Sequence, residues 1–322
     1  MNTVLGVDTS NYTTSLCAVS ADDGRLLASA RMILPVTKGQ RGLRQSDALF
    51  FHVQQLPTVM ADLMKQLHAE TIQPRWTSVG VSVRPRPYAQ SYMPVFQAGA
   101  SFAMNFGQAL GIPVVRTSHQ EGHLAAAEYF TPMSRGPFVG VHISGGTSDV
   151  MLAERTHFGY RIALVGAGLD LHAGQFVDRI GVRLGLPFPA GPHLEKLADQ
   201  FDGPEDFTIP SAVHGAAISF SGPLSAALRA IDSHVAPGEV ASAVQRCIAV
   251  SVAKAVEHVV KSEAHTVKDV LVAGGVASNA FIRRHVTERL ERRIRGAVVQ
   301  FAPADFARDN ALGVARIAFL RR

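Results

Sequence analysis

The chain has 322 residues, of which 47% are hydrophobic, and a formal net charge of +5. Its length and hydrophobic content indicate a globular protein of two lobes or domains. The modest positive charge permits a polyanionic partner such as nucleic acid without requiring one. No apolar run reaches the ~20 residues of a membrane helix, the opening MNTVLGVDTS lacks the zones of a signal peptide, and two cysteines are too few for a disulfide framework. We therefore expect a soluble protein of the cytoplasm, with Cys17 and Cys247 as buried, reduced thiols.

Three predicted strands open the chain within residues 3–32. An apolar strand ends in the DTS turn at 8–10 and leads to a second apolar strand, a polar turn and a third strand. The same succession returns in residues 137–166, with an SGGT turn at 144–147. The two copies start about 135 residues apart, which is too long for a solenoid period and favours a duplicated two-lobed α/β protein with a cleft between its halves.

The segment between the copies alternates helices and strands. Residues 46–67 have helical apolar spacing, 76–83 read as a strand, and 112–118 as another. Residues 96–111 form a helix of small residues that Gly111 ends. Such a helix fits either an ordinary tightly packed core or a contact with a helix of another protein.

Helices predominate after the second copy. They include residues 243–264, and a strand and turn at 269–279 and a closing helix within 308–322 follow. Residues 281–295, FIRRHVTERLERRIR, are the densest basic stretch. The interleaved glutamates favour a solvated helix face, and a patch that binds nucleic acid remains the alternative.

Three turns rich in glycine or hydroxyl groups follow predicted strands, at residues 8–10, 144–147 and 274–279. Small residues let the backbone approach a ligand closely, and N–H groups exposed at a turn attract phosphate oxygens. One such turn is weak evidence, but three, two of them at matching places of a repeat, favour a nucleotide cleft.

His119 and His123 lie four residues apart directly after a predicted strand, at a helix start. Both imidazoles would project from one face and could bind one divalent metal, although histidines at this spacing also occur on ordinary, partly exposed helix faces. Asp309, which is predicted to begin the last helix next to a small-residue turn, is the best candidate for a third ligand. Glu121 is out of phase with the pair and is expected to cap or brace the turn.

Hydrolase mechanisms are disfavoured. Gln120 stands where the zinc-protease motif needs its general base, and neither Ser144 nor Ser221 has the spacing of a nucleophile elbow. Asp178 lies in a helical stretch, where it could be solvated or could hold a ribose hydroxyl or an ammonium group. The residue pattern leaves these two interpretations of Asp178 equally open.

The ordered set of these motifs resembles the tRNA N6-adenosine threonylcarbamoyltransferase family, known as TsaD and formerly as O-sialoglycoprotein endopeptidase. The resemblance covers nearly the whole chain. It rests on HQEGH at 119–123, HISGGTSDV at 142–150, the stretch 168–198, ISFSG at 218–222, VLVAGGVASN at 270–279 and RDNALGVARIA at 308–318.

The resemblance implies the two-lobed fold of actin, Hsp70 and sugar kinases, with duplicated mixed sheets and a cleft between the lobes. Residues 1–135 would form the first lobe, completed by a C-terminal helix at 304–322, and residues 136–303 the second. One divalent metal, iron or zinc, would be held by His119, His123 and Asp309. The adenylate or ATP-type nucleotide would be held by His142, Ile143, Ser144, Gly145, Gly146, Asp178, Gly191 and Asn279.

The implied reaction transfers a threonylcarbamoyl group from threonylcarbamoyl-adenylate to the adenosine beside the anticodon of tRNA. The implied partners are tRNA and either proteins similar to TsaB and TsaE or a second copy of the chain. No protein nucleophile is needed, which agrees with a sequence that offers no catalytic triad.

The chain departs from the family pattern at residues 11–14, 39–52 and 84–96 and, in the second half, at Asp170-Leu171 and Gln175, which indicates a divergent paralogue. Within residues 84–96, Arg84 and Arg86 could contact acceptor phosphates or be surface residues. Three functions remain open: tRNA modification, carbamoyl transfer to another acceptor, and a non-catalytic scaffold that binds nucleotide.

Overall fold

The structure is a computed structural model that describes residues 1–10, 12–36, 43–131, 136–157 and 159–321. Of the stretches that depart from the family pattern, residue 11 and residues 39–42 lie outside the described residues. No helix of the described part is long and apolar enough to cross a membrane.

Five strands form the first sheet. They are β1 (Asn2–Ser10), β2 (Thr13–Ser20), β3 (Leu26–Ile33), β4 (Arg75–Ser82) and β5 (Val114–Thr117). Their order across the sheet is β3-β2-β1-β4-β5; the first three are antiparallel neighbours, and β1, β4 and β5 run parallel. These bounds confirm the strands predicted within residues 3–32, 76–83 and 112–118.

The second sheet repeats the first. The next strands are β6 (Phe138–Ile143), β7 (Ser148–Thr156), β8 (Gly159–Gly166), β9 (Ala212–His214), β10 (Ala217–Ser219), β11 (Asp269–Ala273) and β12 (Val298–Phe301). Leaving aside the small β9–β10 hairpin, their order is β12-β11-β6-β7-β8, with β6, β7 and β8 antiparallel and β6, β11 and β12 parallel. Since a three-stranded antiparallel unit is extended by two parallel strands in both sheets, the predicted duplication is confirmed.

The duplication extends to single positions in the two leading hairpins. The β1 segment LGVDTS and the β6 segment VGVHIS have the same pattern of apolar residues and glycine. Asp8 pairs across the sheet with Ser15, and His142 pairs with Asp149. Because register and pattern agree, Asp8 and His142 occupy equivalent positions in the two sheets.

Ten helices and one 3₁₀ turn pack around these sheets in the described residues. They are α1 (Gln45–Ala69), α2 (Phe96–Leu110), α3 (His119–Phe130), α4 (Ala173–Arg183), α5 (Gly191–Asp199), α6 (Ser221–Asp232), α7 (Pro237–Ser262), the 3₁₀ turn Gly275–Ser278, α8 (Ala280–Arg293), α9 (Ala304–Ala307) and α10 (Leu312–Leu320).

Helix α2 belongs to the core of the protein. It ends at Gly111, whose φ of 64° is left-handed, as the sequence predicts. A Cβ added to Gly99 would lie 2.8 Å from Oγ1 of Thr9, and one added to Gly107 would lie 2.4 Å from Val114. The small residues therefore let α2 approach the first sheet, which favours the core interpretation over a contact with another protein.

The C-terminal segment differs from the prediction of one helix at 304–322. It forms α9 and α10, separated by a turn that contains Asp309. The side chain of Asn310 donates to the carbonyl oxygen of Phe306 and accepts from the backbone N–H of Leu312. These local bonds compete with a continuous helix, so Asp309 lies in the turn and does not begin the last helix.

Close packing through glycine fixes the position of this turn. A Cβ at Gly6 would lie 2.4 Å from the carbonyl oxygen of Ala311, and one at Gly313 would lie 1.8 Å from that of Gly122. Helix α10 therefore rests on the first sheet and against α3. These contacts support the proposal that the C-terminal segment completes the first lobe, and the lobe boundaries stay a prediction.

Two further expectations concern burial. Cys17 and Cys247 are both free and buried, as predicted, and burial raises the pKa of each thiol, that of Cys247 to about 12. Helix α8, which carries most of the basic stretch, packs its apolar side inward, and Arg289 pairs with Glu257 at 2.7 Å. This arrangement favours the solvated helix face.

Candidate metal and nucleotide site

The start of α3 is held by a capping box. The carboxylate of Glu121 accepts hydrogen bonds from the backbone N–H of Ser118 at 2.9 Å and from the hydroxyl of Thr117 at 2.9 Å, and Ser118 in turn caps the N–H of Glu121. Glu121 thus braces the turn, as predicted, and does not face the histidines. This bracing sets the direction of the first helical turn and therefore of His119 and His123.

The structure brings His119, His123 and Asp309 together. The Nε2 atoms of the two histidines lie 3.0 Å apart. Oδ1 of Asp309 lies 3.5 Å from Nε2 of His119 and 3.3 Å from Nε2 of His123. Ligands of one tetrahedral zinc ion lie roughly 3.4 Å from one another when the metal–ligand bonds are ~2.0–2.1 Å, so these three side chains fit a common cation.

A third imidazole, that of His142, joins this group. One ring nitrogen from each of His119, His123 and His142 lies within 4.8 Å of the others. The ring centroids of His123 and His142 are 4.2 Å apart. The family resemblance implied that His142 holds the nucleotide together with the SGG turn, and a strand residue gives no sign in the sequence of a helix that packs over it.

Asp8 supports the histidine group from the first sheet. Its Oδ1 accepts a hydrogen bond from the hydroxyl of Ser82 and lies 3.0 Å from Nδ1 of His119. With Nδ1 engaged, Nε2 of His119 faces His123 and Asp309. A carboxylate behind a histidine in this way fixes the ring of a metal ligand; the sequence placed Asp8 only in a turn.

The pKa values of the group are shifted by burial and by mutual charges. Burial acts to lower the pKa of His119, but the charges of Asp8 and Asp309 outweigh it and raise that pKa to about 10. Burial acts to raise the pKa of Asp309, and hydrogen bonds to the α3 histidines nevertheless hold it well below its usual value. Burial and the neighbouring imidazoles lower the pKa values of His123 and His142, so both present the neutral form that binds metals.

A cavity of about 330 Å³ opens beside Asp309. Five residues assigned to the nucleotide line it: Ser144, Gly145, Asp178, Gly191 and Asn279. The other three do not, since Ile143 is in the hydrophobic core, Gly146 is on the exposed turn and His142 faces the α3 histidines. Sequence reasoning did not single out Tyr12 and Arg308, which also line the cavity.

The cavity walls leave room for a ligand against the backbone. A Cβ added to Gly145, Gly191 or Gly275 would meet nothing within 4 Å. Asp178 is half-buried; burial raises the pKa of its carboxyl, and its Oδ1 accepts from the backbone N–H of Ala190 at 2.8 Å. The walls therefore combine bare backbone with one carboxylate at a shielded position.

An ion pair joins the loop that follows β4 of the first sheet to β7 of the second sheet, next to the site. Nε of Arg86 lies 2.7 Å from Oδ2 of the fully buried Asp149, and a second bond of 3.0 Å makes the contact bidentate. The amide of Gln120 also donates to Asp149, at 3.0 Å. Arg86 is therefore committed to an internal contact, which disfavours its use for acceptor phosphates.

Comparison with known proteins identifies a family. A family model described as tRNA N6-adenosine threonylcarbamoyltransferase matches residues 46–316. The enzyme of that name from Thermosipho africanus is 26% identical over 329 residues, covering 98% of this chain and 93% of the relative. The enzyme of the same name from Thermus thermophilus is 34% identical over 226 residues, covering 69% and 65%. A probable bifunctional tRNA threonylcarbamoyladenosine biosynthesis protein from Thermoplasma acidophilum is 28% identical and covers 98% and 56%.

Solved structures give the fold. HypF from T. kodakarensis matches with a TM-score of 0.60 at 16% identity, over 99% of this chain and 47% of that one. A ROK family glucokinase from Streptomyces griseus matches with a TM-score of 0.55 at 15% identity, over 98% and 99%. At these identities the likeness concerns the fold alone, and it confirms the expected two-lobed architecture of actin and sugar kinases.

Proposed function

The chain belongs to the tRNA N6-adenosine threonylcarbamoyltransferase family, and from this membership we propose that it transfers a threonylcarbamoyl group from threonylcarbamoyl-adenylate to an adenosine of tRNA, using one divalent metal ion. The named relatives are transferases, and this chain is an enzyme of the same family. The donor, the metal and the acceptor in this chain are the proposed parts.

The metal would be held by His119, His123 and Asp309. Their ligand atoms lie 3.0 to 3.5 Å from one another, and imidazole with carboxylate is a donor set that both zinc and iron accept. A cation bound there would polarise the carbonyl group of the donor. This convergence of two helical histidines and a distant aspartate beside a cavity is the observation that carries the proposal.

The nucleotide part of the donor would lie in the cavity. The bare backbone at Gly145, Gly191 and Gly275 lets phosphate oxygens approach N–H groups. Asp178, which lines the cavity, would accept a hydrogen bond from a ribose hydroxyl. Arg308, next to Asp309 in the chain, supplies positive charge at the cavity wall.

The reaction needs positioning more than covalent chemistry. The exocyclic amine of the adenosine attacks the carbonyl carbon of the mixed anhydride, the bond from that carbon to the phosphate oxygen breaks, AMP leaves with the electron pair, and the amine loses a proton. Charge neutralisation of the leaving phosphate and correct placement of the acceptor supply the rate enhancement. No side chain of this protein has to form a covalent intermediate.

The proposal is tested by reconstitution. Purified protein, a donor-forming enzyme, ATP, bicarbonate and labelled threonine are incubated with a tRNA transcript that has adenosine beside the anticodon. We expect label in this tRNA and none in a matched transcript with guanosine at that position. The His119→Ala variant serves as the control for the protein site.

Three outcomes contradict the proposal. In the first, the donor forms and the protein binds metal, but tRNA stays unlabelled with and without the TsaB-like and TsaE-like partners. In the second, with threonine or bicarbonate carrying the label in parallel reactions, label enters a small hydroxylated molecule in place of tRNA: label from both precursors means threonylcarbamoyl transfer to another acceptor, and label from bicarbonate alone identifies a carbamoyltransferase. In the third, the protein binds no stoichiometric metal and transfers label to no acceptor, which identifies a scaffold.

A further inference from the structure

The packing of the second sheet does not explain the imidazole of His142. The residue is 2% exposed, and both ring nitrogens are buried without a hydrogen-bond partner. Its cross-strand neighbours are Ala273 and Asp149. The carboxylate of Asp149 is already engaged by three hydrogen bonds. Because buried polar atoms are almost always paired, we expect these nitrogens to have a partner that the described side chains do not supply.

The ring is held in place against α3. Gly274 follows β11 with a φ of 101°, and a Cβ there would lie 2.8 Å from Cδ2 of His142 and 2.2 Å from the carbonyl oxygen of Ile143. Only glycine leaves this space for the ring. On its other side, the ring faces that of His123, with centroids 4.2 Å apart.

The equivalent position of the first sheet gives an internal comparison. Asp8 contacts Nδ1 of His119 through a hydrogen bond of 3.0 Å, on the side of the ring opposite to Nε2, and therefore supports the ring without joining the proposed ligands. His142 instead presents a ring nitrogen within 4.8 Å of those of His119 and His123. The two sheets therefore approach the start of α3 with different chemistry, one with a supporting carboxylate and one with a potential ligand.

We infer that His142 is a fourth ligand of the cation held by His119, His123 and Asp309, and that the cation thereby ties the second sheet to α3 and the C-terminal turn. The inference rests on the metal site of the proposed function. Among these four residues, only His142 is carried by a strand of the second sheet. Coordination by His142 thus turns the cation into a link between the two halves of the fold.

This link has measurable consequences. Loss of a carboxylate that merely supports a ligand weakens metal binding by about 10- to 100-fold, so loss of a ligand is expected to weaken it by at least about tenfold. A cation that joins the two sheets also stabilises the folded chain, by a free energy that grows with the logarithm of its affinity. In His142→Leu, therefore, both the affinity and the metal-dependent rise in melting temperature are reduced.

The sharpest test uses cobalt and a cysteine at position 142. In the full chain with the His142→Cys substitution, we expect one bound Co²⁺ with a near-ultraviolet charge-transfer band from thiolate to cobalt, which the wild type lacks. His172→Cys is the matched control, because Nδ1 of His172 is also buried without a partner but His172 lies outside the group of three imidazoles. This control should give no such band.

The outcomes separate this inference from the proposed function. If the wild type binds no divalent cation, both are overturned. If it binds one, and His119→Ala does not, but His142→Leu keeps the wild-type affinity and cobalt spectrum and His142→Cys gives no band, only the role of His142 is overturned. A cysteine band with an affinity loss of about tenfold or more in His142→Leu supports it, and the spectrum is independent of whether the leucine variant folds.

Discussion

The two leading hairpins, β1–β2 and β6–β7, share their topology and register, but the side chains that they direct at the start of α3 make different contacts. Asp8 of the first accepts from Ser82 and braces His119, whereas His142 of the second has no hydrogen-bond partner and faces His123. The difference teaches that a duplicated backbone provides two equivalent positions beside α3. The side chain placed at each position decides whether it supports the site or takes part in it.

Removal of the His119 imidazole, which lies between the two hairpins, is expected to have the largest effect on metal binding. His119→Ala takes away a proposed ligand, which is also the only histidine that Asp8 contacts among the described hydrogen bonds, so we expect loss of stoichiometric metal with the fold retained. Metal content by elemental analysis and circular dichroism measure the two. His265→Ala, at an exposed position, is the control and should keep the metal. Retention of one metal ion per chain in His119→Ala would show that Asp8 supports nothing at this site.

The next largest effect concerns the residues that pair across the strands with Asp8 and His142. These are Ser15 in the first hairpin and Asp149 in the second, and Asp149 forms an ion pair with Arg86. Arg86→Met leaves the buried carboxylate of Asp149 with Gln120 as its remaining side-chain partner. Breaking a buried ion pair costs about 3 kcal/mol or more, so we expect the free energy of unfolding in urea to fall by about 3 kcal/mol.

The matched control for this effect is Arg161→Met. Arg161 pairs with Glu154 in the same sheet, but both side chains are largely exposed, at 77% and 49%. Such a pair contributes about 1 kcal/mol or less. Equal losses of unfolding free energy in the two variants would mean that the Arg86–Asp149 ion pair stabilises the fold no more than an exposed pair does.

A smaller effect tests the supporting role of Asp8. Asp8→Asn keeps the shape of the side chain but removes the charge that holds His119, and a change of this kind weakens metal binding by about 10- to 100-fold. Equilibrium dialysis against zinc or ferrous ion measures the shift in Kd. Asp22→Asn, at an exposed turn, should leave Kd unchanged, and an unchanged Kd in Asp8→Asn would remove the contrast with His142.

The smallest effect compares the equivalent glycines of the two hairpins. A Cβ at Gly6 would lie 2.4 Å from a backbone oxygen at the start of α10, whereas one at Gly140 would lie 3.1 Å from the end of the Leu124 side chain. Overpacking of a core costs about 1–3 kcal/mol, so Gly6→Ala should cost about 2 kcal/mol and Gly140→Ala under about 1 kcal/mol. Denaturant unfolding of both variants checks this, and the reverse order would contradict the packing of α10 on the first sheet.

Local patterns in the sequence predicted much of the fold. Alternating apolar residues indicated the three-stranded units of 3–32 and 137–166, and the left-handed glycine at 111 ended α2 as expected. The histidine pair of α3 was proposed from helical spacing, and Asp309 from a predicted helix start beside a turn, although the helix begins only at Leu312. These features depend on interactions between near neighbours, which a sequence displays directly.

The sequence by itself determined the duplicated α/β plan, the brace at Glu121 and the residue types able to hold a cation. Only the tertiary structure decided that Asp8 stands behind His119 and that His142 faces His123. These contacts join residues more than a hundred positions apart or in different elements of the fold. They depend on how closely α3 and α10 approach through bare backbone at Gly122 and Gly313, and the free energy of such packing is a property of the assembled core.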